Sequence, residues 1–225
     1  VEDGETFDLK GIDEIPDPLR RRPPLAPAAV PAEPSPTRAD RQRRSALGIV
    51  AAVAWVLGVI AHLGLRPDLG APGVALPLAA WAMVGAACLA LVVGPGERGM
   101  PRAARVVQAV VILVPAAFVL LALPASLGAP EVPFSWPKSG RCVTWASVIA
   151  AVPMLVATLV FRRALLGAPA WRGAAIGALC GLGGTIGIHL HCGTLETAHV
   201  LLAHGLPMAL GAALGAGLGA MGGRV

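Results

Sequence analysis

From residue 46 onward the chain alternates long apolar runs with short polar breaks. Six apolar stretches, roughly 46–64, 71–93, 106–125, 143–161, 173–188 and 198–222, follow a charged, proline-rich segment of about 45 residues. A hydrocarbon core about 30 Å thick takes roughly 20 apolar residues in helical form. The second, third and sixth stretches reach that length outright, and the others reach it once their Gly- and Ala-rich flanks are included. The pattern predicts an all-α polytopic membrane protein in which residues 46–222 form six transmembrane helices behind a tail at 1–45. The fifth stretch is the least apolar, because Gly173, Gly177, Gly181, Gly183, Gly184 and Gly187 dilute it and Arg172 and His189 bound it. A count of five crossings would put the two ends on opposite sides of the bilayer.

Lys and Arg collect in short loops on the cytoplasmic side of membranes, which makes them a test of the even count. With the tail inside, the inner segments carry Lys10, Arg20, Arg21, Arg22, Arg38, Arg41, Arg43 and Arg44, then Arg98, Arg102 and Arg105, then Arg162, Arg163 and Arg172, and finally Arg224. The outer loops carry Arg66, Lys138 and Arg141. Fifteen against three favours six crossings with both termini cytoplasmic. The net charge of +5 is then a topology signal. It does not point to direct nucleic-acid contact, which needs a contiguous basic face. The first apolar stretch lies far from residue 1 and is followed by further spans, so no cleavable signal peptide is expected.

The tail has three parts. Residues 1–19 set Glu2, Asp3, Glu5, Asp8, Asp13, Glu14 and Asp17 among Phe7, Leu9, Ile12, Ile15 and Leu19. The apolar positions recur every two to four residues, but Gly11, Pro16 and Pro18 limit a free helix, so the segment is expected to be disordered alone, with ordering on a partner as one use and plain solvation as the other. Pro23, Pro24, Pro27, Pro31, Pro34 and Pro36 make the next part a semi-extended spacer. The RADRQRR run at 38–44 adjoins the first span, where anionic lipid of the inner leaflet attracts it.

No Asp, Glu, Lys or Arg falls within the six apolar cores, which argues against an ion-coupled carrier. Gly173, Gly177 and Gly181 repeat every four residues, as do Gly211, Gly215 and Gly219. Each set gives its helix a smooth seam, for packing within the chain or for a homodimer. Pro77, Pro115, Pro153 and Pro207 fall inside predicted helices, where local kinks are expected. Trp136, Trp145 and Trp171 read as interfacial anchors, Trp55 and Trp81 as core filling.

Chemistry-bearing residues gather on the predicted outer side. The run HLHC supplies His189, His191 and Cys192 at the end of the fifth stretch, and Glu196, His199 and His204 follow. Imidazole and thiolate together suit zinc or copper. The spacing matches no closed zinc motif, and His189 and His191 point in different directions on a helix, so interfacial histidines that satisfy local hydrogen bonds are the other reading. Cys142 stands just before the fourth stretch in the same compartment as Cys192. An oxidising exterior allows a disulfide between them; free redox-responsive thiols and metal ligation are also open. Cys88 and Cys180, in apolar helices, read as small packing residues.

The LRRRPPL stretch at 19–25, the RRSALGIVAAVAWVLGVIAHLGLRPDL run at 43–69, Cys142 before a helix ending in FRRAL at 161–165, GAAIGALCGLGGTIGIHLHC at 173–192 and HGLPMALGAALG at 204–215 together resemble the DUF1109 or NrsF-like family of six-helix bacterial inner-membrane proteins. The resemblance spans residues 43–222. It implies an anti-sigma factor that holds an extracytoplasmic-function sigma factor at the membrane and releases it under metal or oxidative stress. It further implies that Cys142 and Cys192 are the outer sensing cysteines, that His191 and His204 are pattern positions near them, and that the tail binds the sigma factor. On this reading Phe7, Leu9, Ile12 and Ile15 pack on an apolar groove while Asp8, Asp13 and Glu14 meet a basic rim. No enzyme is implied. The alternatives are a thiol- or haem-associated membrane oxidoreductase, which lacks a CxxC pair or facing core histidines, and a small metal or metabolite transporter, which lacks a polar path.

Overall fold

The structure, a computed structural model, describes residues 38–93, 103–126, 134–161 and 168–222. Contacts divide the chain into Val1–Arg38 and Ala39–Val225. The acidic segment and the proline spacer lie outside the described residues. All regular structure among the described residues is helical: α1 (Arg38–Leu63), α2 (Pro72–Val93), α3 (Ala104–Ser126), α4 (Trp136–Phe161), α5 (Pro169–His189), a short α6 (Thr197–His199), a π-helical turn (Val200–His204) and α7 (Gly205–Gly222).

Two helices start well before the apolar pattern suggested, each by about two turns. α1 takes in the whole RADRQRR run, which holds no Gly or Pro to stop it, and Pro36 lies just upstream. α4 starts at Trp136 rather than near 143, with Pro137 in its first turn, where a missing N–H costs nothing. α5 likewise opens on Pro169. Gly64 closes α1 with a positive φ of 81° and an amide that donates to Ile60 O at 2.9 Å, a left-handed cap that turns the chain toward Arg66.

Among the described residues, five segments are long and apolar enough to cross a membrane: Ala46–Leu63, Pro72–Val92, Ala104–Pro124, Trp136–Val160 and Thr197–Met221. α5 is not among them, although its 21 residues span about 31 Å at 1.5 Å per residue. Its surroundings account for the difference. α5 packs against α2, α3, α4 and α7, and 14 of its 21 residues are buried, Arg172 included. A helix sheathed by other helices has no need of lipid-facing bulk, and here Gly and Ala take its place. Leu47, Val50 and Leu57 of α1, Ile112 and Leu120 of α3, and Leu155 and Leu159 of α4 are exposed, as a lipid-facing surface requires.

The closest packing is between α5 and α7. A Cβ on Gly177 would run into the carbonyl of Gly211, and one on Gly211 into that of Gly177; Gly173 and Gly215 are related in the same way. Gly181 meets the backbone at Pro207 and Met208, and Gly219 meets Pro169. Both seams are therefore filled within one chain, with backbone on backbone, the contact that substitutes for hydrophobic drive inside a bilayer. On the far side of α5, Trp81, Cys88, Val107, Val114, Phe118, Ala175 and Leu182 build the core, with Trp81 and Phe118 rings 5.1 Å apart.

α1 lies at the periphery and meets α4. Gly48 faces Val156, and Trp55 Nε1 donates to Val148 O at 2.9 Å. Trp55 is thus not core filling. The residue is 38% exposed, and what holds it is a hydrogen bond to α4. Trp81, at 1% exposure, does fill the core.

Candidate functional site

Ser139 and Cys142 are three residues apart on α4 and so share one face. Ser139 is fully buried and Cys142 half-buried. Opposite them runs the connection from α5 to α6. Leu190, His191 and Cys192 turn off the end of α5, with the His191 and Cys192 amides both donating to Ile188 O, at 3.0 and 2.8 Å. Glu196 then caps α6, its carboxylate accepting from the Ala198 and His199 amides at 2.9 and 2.8 Å.

The π-turn that follows sets the geometry of the site. His199 and His204 are five residues apart, which on an α-helix would separate them by roughly 140°. A turn with i→i+5 hydrogen bonds brings the fifth residue back almost over the first. The two imidazoles accordingly sit with centroids 5.3 Å apart, both buried. Thr185 of α5 donates its hydroxyl to the His204 carbonyl and holds the turn against α5.

One donor atom from each of Cys142, Cys192, His199 and His204 falls in a single cluster, all within 4.8 Å of one another. Both cysteines are free thiols, with Sγ atoms 3.8 Å apart, well beyond the roughly 2.0 Å of a disulfide bond. His199 Nε2 is 3.4 Å from Cys192 Sγ, and its Nδ1 is 3.0 Å from Ser139 Oγ. His204 Nδ1 is 3.2 Å from His189 Nδ1, and His204 Nε2 is buried with no hydrogen-bond partner. The Cys142 thiol, donating to Cys192, and His199 beside it hold the Cys192 thiol well below the usual thiol range, against the opposing pull of burial.

The structure treats the expected residues unequally. His189 is buried next to the cluster, between His204 and the Trp81 ring, whose centroid is 5.2 Å away. It supports His204 and adds no donor atom to the group. His191 is turned away: two residues past His189 at a helix end, its ring is exposed and its Nδ1 lies 3.1 Å from Gly64 O. Cys142, read from sequence chiefly as a sensing thiol, supplies one of the four atoms. Phe7, Asp8, Leu9, Ile12, Asp13, Glu14 and Ile15, the expected partner-binding set, lie outside the described residues.

Ser139 and Arg66 carried no signal in the sequence. Arg66 is 4% exposed; its Nη1 donates to Cys192 O at 2.7 Å, and its amide donates to Leu190 O at 2.9 Å. Asp68 balances the charge, with carboxylate oxygens 2.6 and 2.7 Å from Nε and Nη2, and the guanidinium holds that carboxyl below its usual range. The loop after α1 is thereby pinned to the residue whose sulfur belongs to the cluster.

A family model described as NrsF, Negative regulator of sigma F, matches residues 28–224. No curated protein and no solved structure matches the chain.

Proposed function

The chain belongs to the NrsF family of negative regulators of sigma F, so it is a multi-pass inner-membrane anti-sigma factor rather than an enzyme, and we propose that it works by holding an extracytoplasmic-function sigma factor on its amino-terminal tail. In this reading residues 1–45 form a cytoplasmic domain and residues 46–222 a six-crossing membrane domain, with α5 as the protein-sheathed sixth span. Both termini face the cytoplasm, in keeping with the arginine bias of the loops. Phe7, Leu9, Ile12 and Ile15 supply apolar contact, and Asp8, Asp13 and Glu14 supply charge to a basic rim.

The cluster at the other end of the bundle is the sensor and faces the periplasm. The observation that carries this is the meeting of Cys142 with Cys192, two thiols from separate elements with Sγ atoms 3.8 Å apart, among buried histidines. Thiols so placed can take a thiophilic metal. They can also give up two electrons and two protons to hydrogen peroxide, forming one S–S bond and two waters. Either event draws α4 toward the α5–α6 connection, and through Arg66 it reaches the end of α1, the helix that continues into the tail.

The test is a pull-down from detergent-solubilised membranes with the full chain and with a form lacking residues 1–25. Retention of a sigma factor by the full chain alone supports the reading. Retention by neither form, in cells that express the sigma factor and are unstressed, overturns it.

A further inference from the structure

We propose that Cys142, Cys192, His199 and His204 form a four-ligand site for a divalent cation of the zinc class, with Ser139 and His189 as positioning residues for its two imidazoles. The regulatory meaning of this site rests on the sensing role proposed above; the binding itself does not.

The spacing already approaches that of a tetrahedral centre. Bonds of about 2.3 Å to sulfur and about 2.0–2.1 Å to nitrogen give sulfur–sulfur edges of about 3.8 Å and sulfur–nitrogen edges of about 3.6 Å. The corresponding separations are 3.8 Å between Cys142 and Cys192 Sγ and 3.4 Å between Cys192 Sγ and His199 Nε2. The widest separation in the group is within 4.8 Å, so closing on an ion draws the remaining ligand inward by about an ångström. The ligands come from α4, the α5–α6 connection, α6 and the π-turn, and that contraction would tighten these elements against one another.

The imidazoles are held as metal ligands are held. A ligating histidine offers one ring nitrogen to the metal and gives the other N–H to a neighbour that fixes its tautomer. His199 Nδ1 lies on Ser139 Oγ, which leaves Nε2 facing Cys192. His204 Nδ1 lies on His189 Nδ1, which leaves Nε2 buried with nothing to bond. His204 is fully buried, and an orphaned ring nitrogen out of reach of water is costly unless it has a use. Charge points the same way, since two thiolates neutralise a divalent cation and the loaded site buries no net charge. Sulfur with imidazole selects zinc-class ions over the hard cations magnesium and calcium.

The experiment uses the full chain, purified in detergent with reduced thiols, with zinc alone and cobalt alone as probes. One cation per chain is expected, with cobalt giving the intense visible bands and sulfur charge-transfer band of a tetrahedral thiolate site. Cys142→Ser and Cys192→Ser should each abolish one-to-one retention, whereas Cys88→Ser should not. Ser139→Ala should weaken affinity roughly 10–100-fold and shift the cobalt bands, with Ser139→Thr restoring both. Failure of the reduced chain to retain either ion, or equal retention by the Cys142→Ser, Cys192→Ser double variant, overturns the proposal. Sigma capture by the tail is read separately in the pull-down, so a metal-free chain that still retains a sigma factor sinks the site and leaves the anti-sigma role standing. A loaded chain that captures none does the reverse.

Discussion

Replacing Arg66 by Gln should unlock the candidate site without unfolding the bundle. The guanidinium donates to Cys192 O, a bond of 2.7 Å in a buried setting, and Asp68 balances its charge. Gln cannot reach as far, so the carbonyl loses its partner while the backbone bond from residue 66 to Leu190 O remains. A buried carbonyl left unpaired costs about 1–3 kcal/mol, or roughly 5–150-fold in the equilibrium for local opening. Cys192 is 8% exposed in the closed state, so a thiol reagent meets it mainly through such openings. The assay is maleimide labelling of the reduced, metal-free chain in detergent at neutral pH, read by mass spectrometry at each cysteine. Cys192 should label roughly 5–150 times faster in the variant, with Cys88 and Cys180 unchanged as internal references. A Cys192 rate within about twofold of the parent would show that the arginine does not hold this connection. Equal acceleration at all four cysteines would show a general loosening instead, and either result refutes the reasoning.

Three further outcomes are expected. Gly177→Ala places a methyl group against the Gly211 carbonyl and must push α7 away, lowering stability by about 1–3 kcal/mol in thermal unfolding, while Gly183→Ala, which meets nothing within 4 Å, should be neutral. The Asp68 carboxyl is held below its ordinary value by Arg66, so its share of the staple is fully present above the ordinary aspartate pKa of about 4 and is lost as pH falls below it through the folded value; amide exchange at Arg66, corrected for intrinsic rates, should speed up only there. Cys142→Ala removes the first cause of the depressed Cys192 pKa, so the thiolate titration of Cys192, followed by ultraviolet absorbance in a chain lacking Cys88 and Cys180, should move upward. Because that pKa is depressed, the stability linked to it is present above the ordinary thiol value and is lost as pH falls through the folded one, and Cys142→Ser, which keeps a donor, should move the titration less.

What could be read from the chain alone was what a period or a composition encodes. The apolar runs mark the helices because lipid-facing and core-facing positions are both hydrophobic, and the four-residue glycine repeats mark the α5–α7 seam because one helical face returns every three to four residues. The start of α4 was hidden by the polarity of Trp136–Pro137–Lys138–Ser139–Gly140, although that polar turn carries the serine that meets His199. Arg66 looked like one more loop arginine, since its partner is 126 residues away and no local pattern points to it. The least legible feature decides the site. His199 and His204 are spaced so that an α-helix would aim them apart, and only the extra residue of the π-turn puts both beside Cys192. A π-turn has no sequence signature of its own; here Thr185 on the neighbouring helix bonds the His204 carbonyl. The convergence of the four donors is therefore a property of the packed bundle, and a change in how α5 meets α7 should reach the site as surely as a change in a ligand.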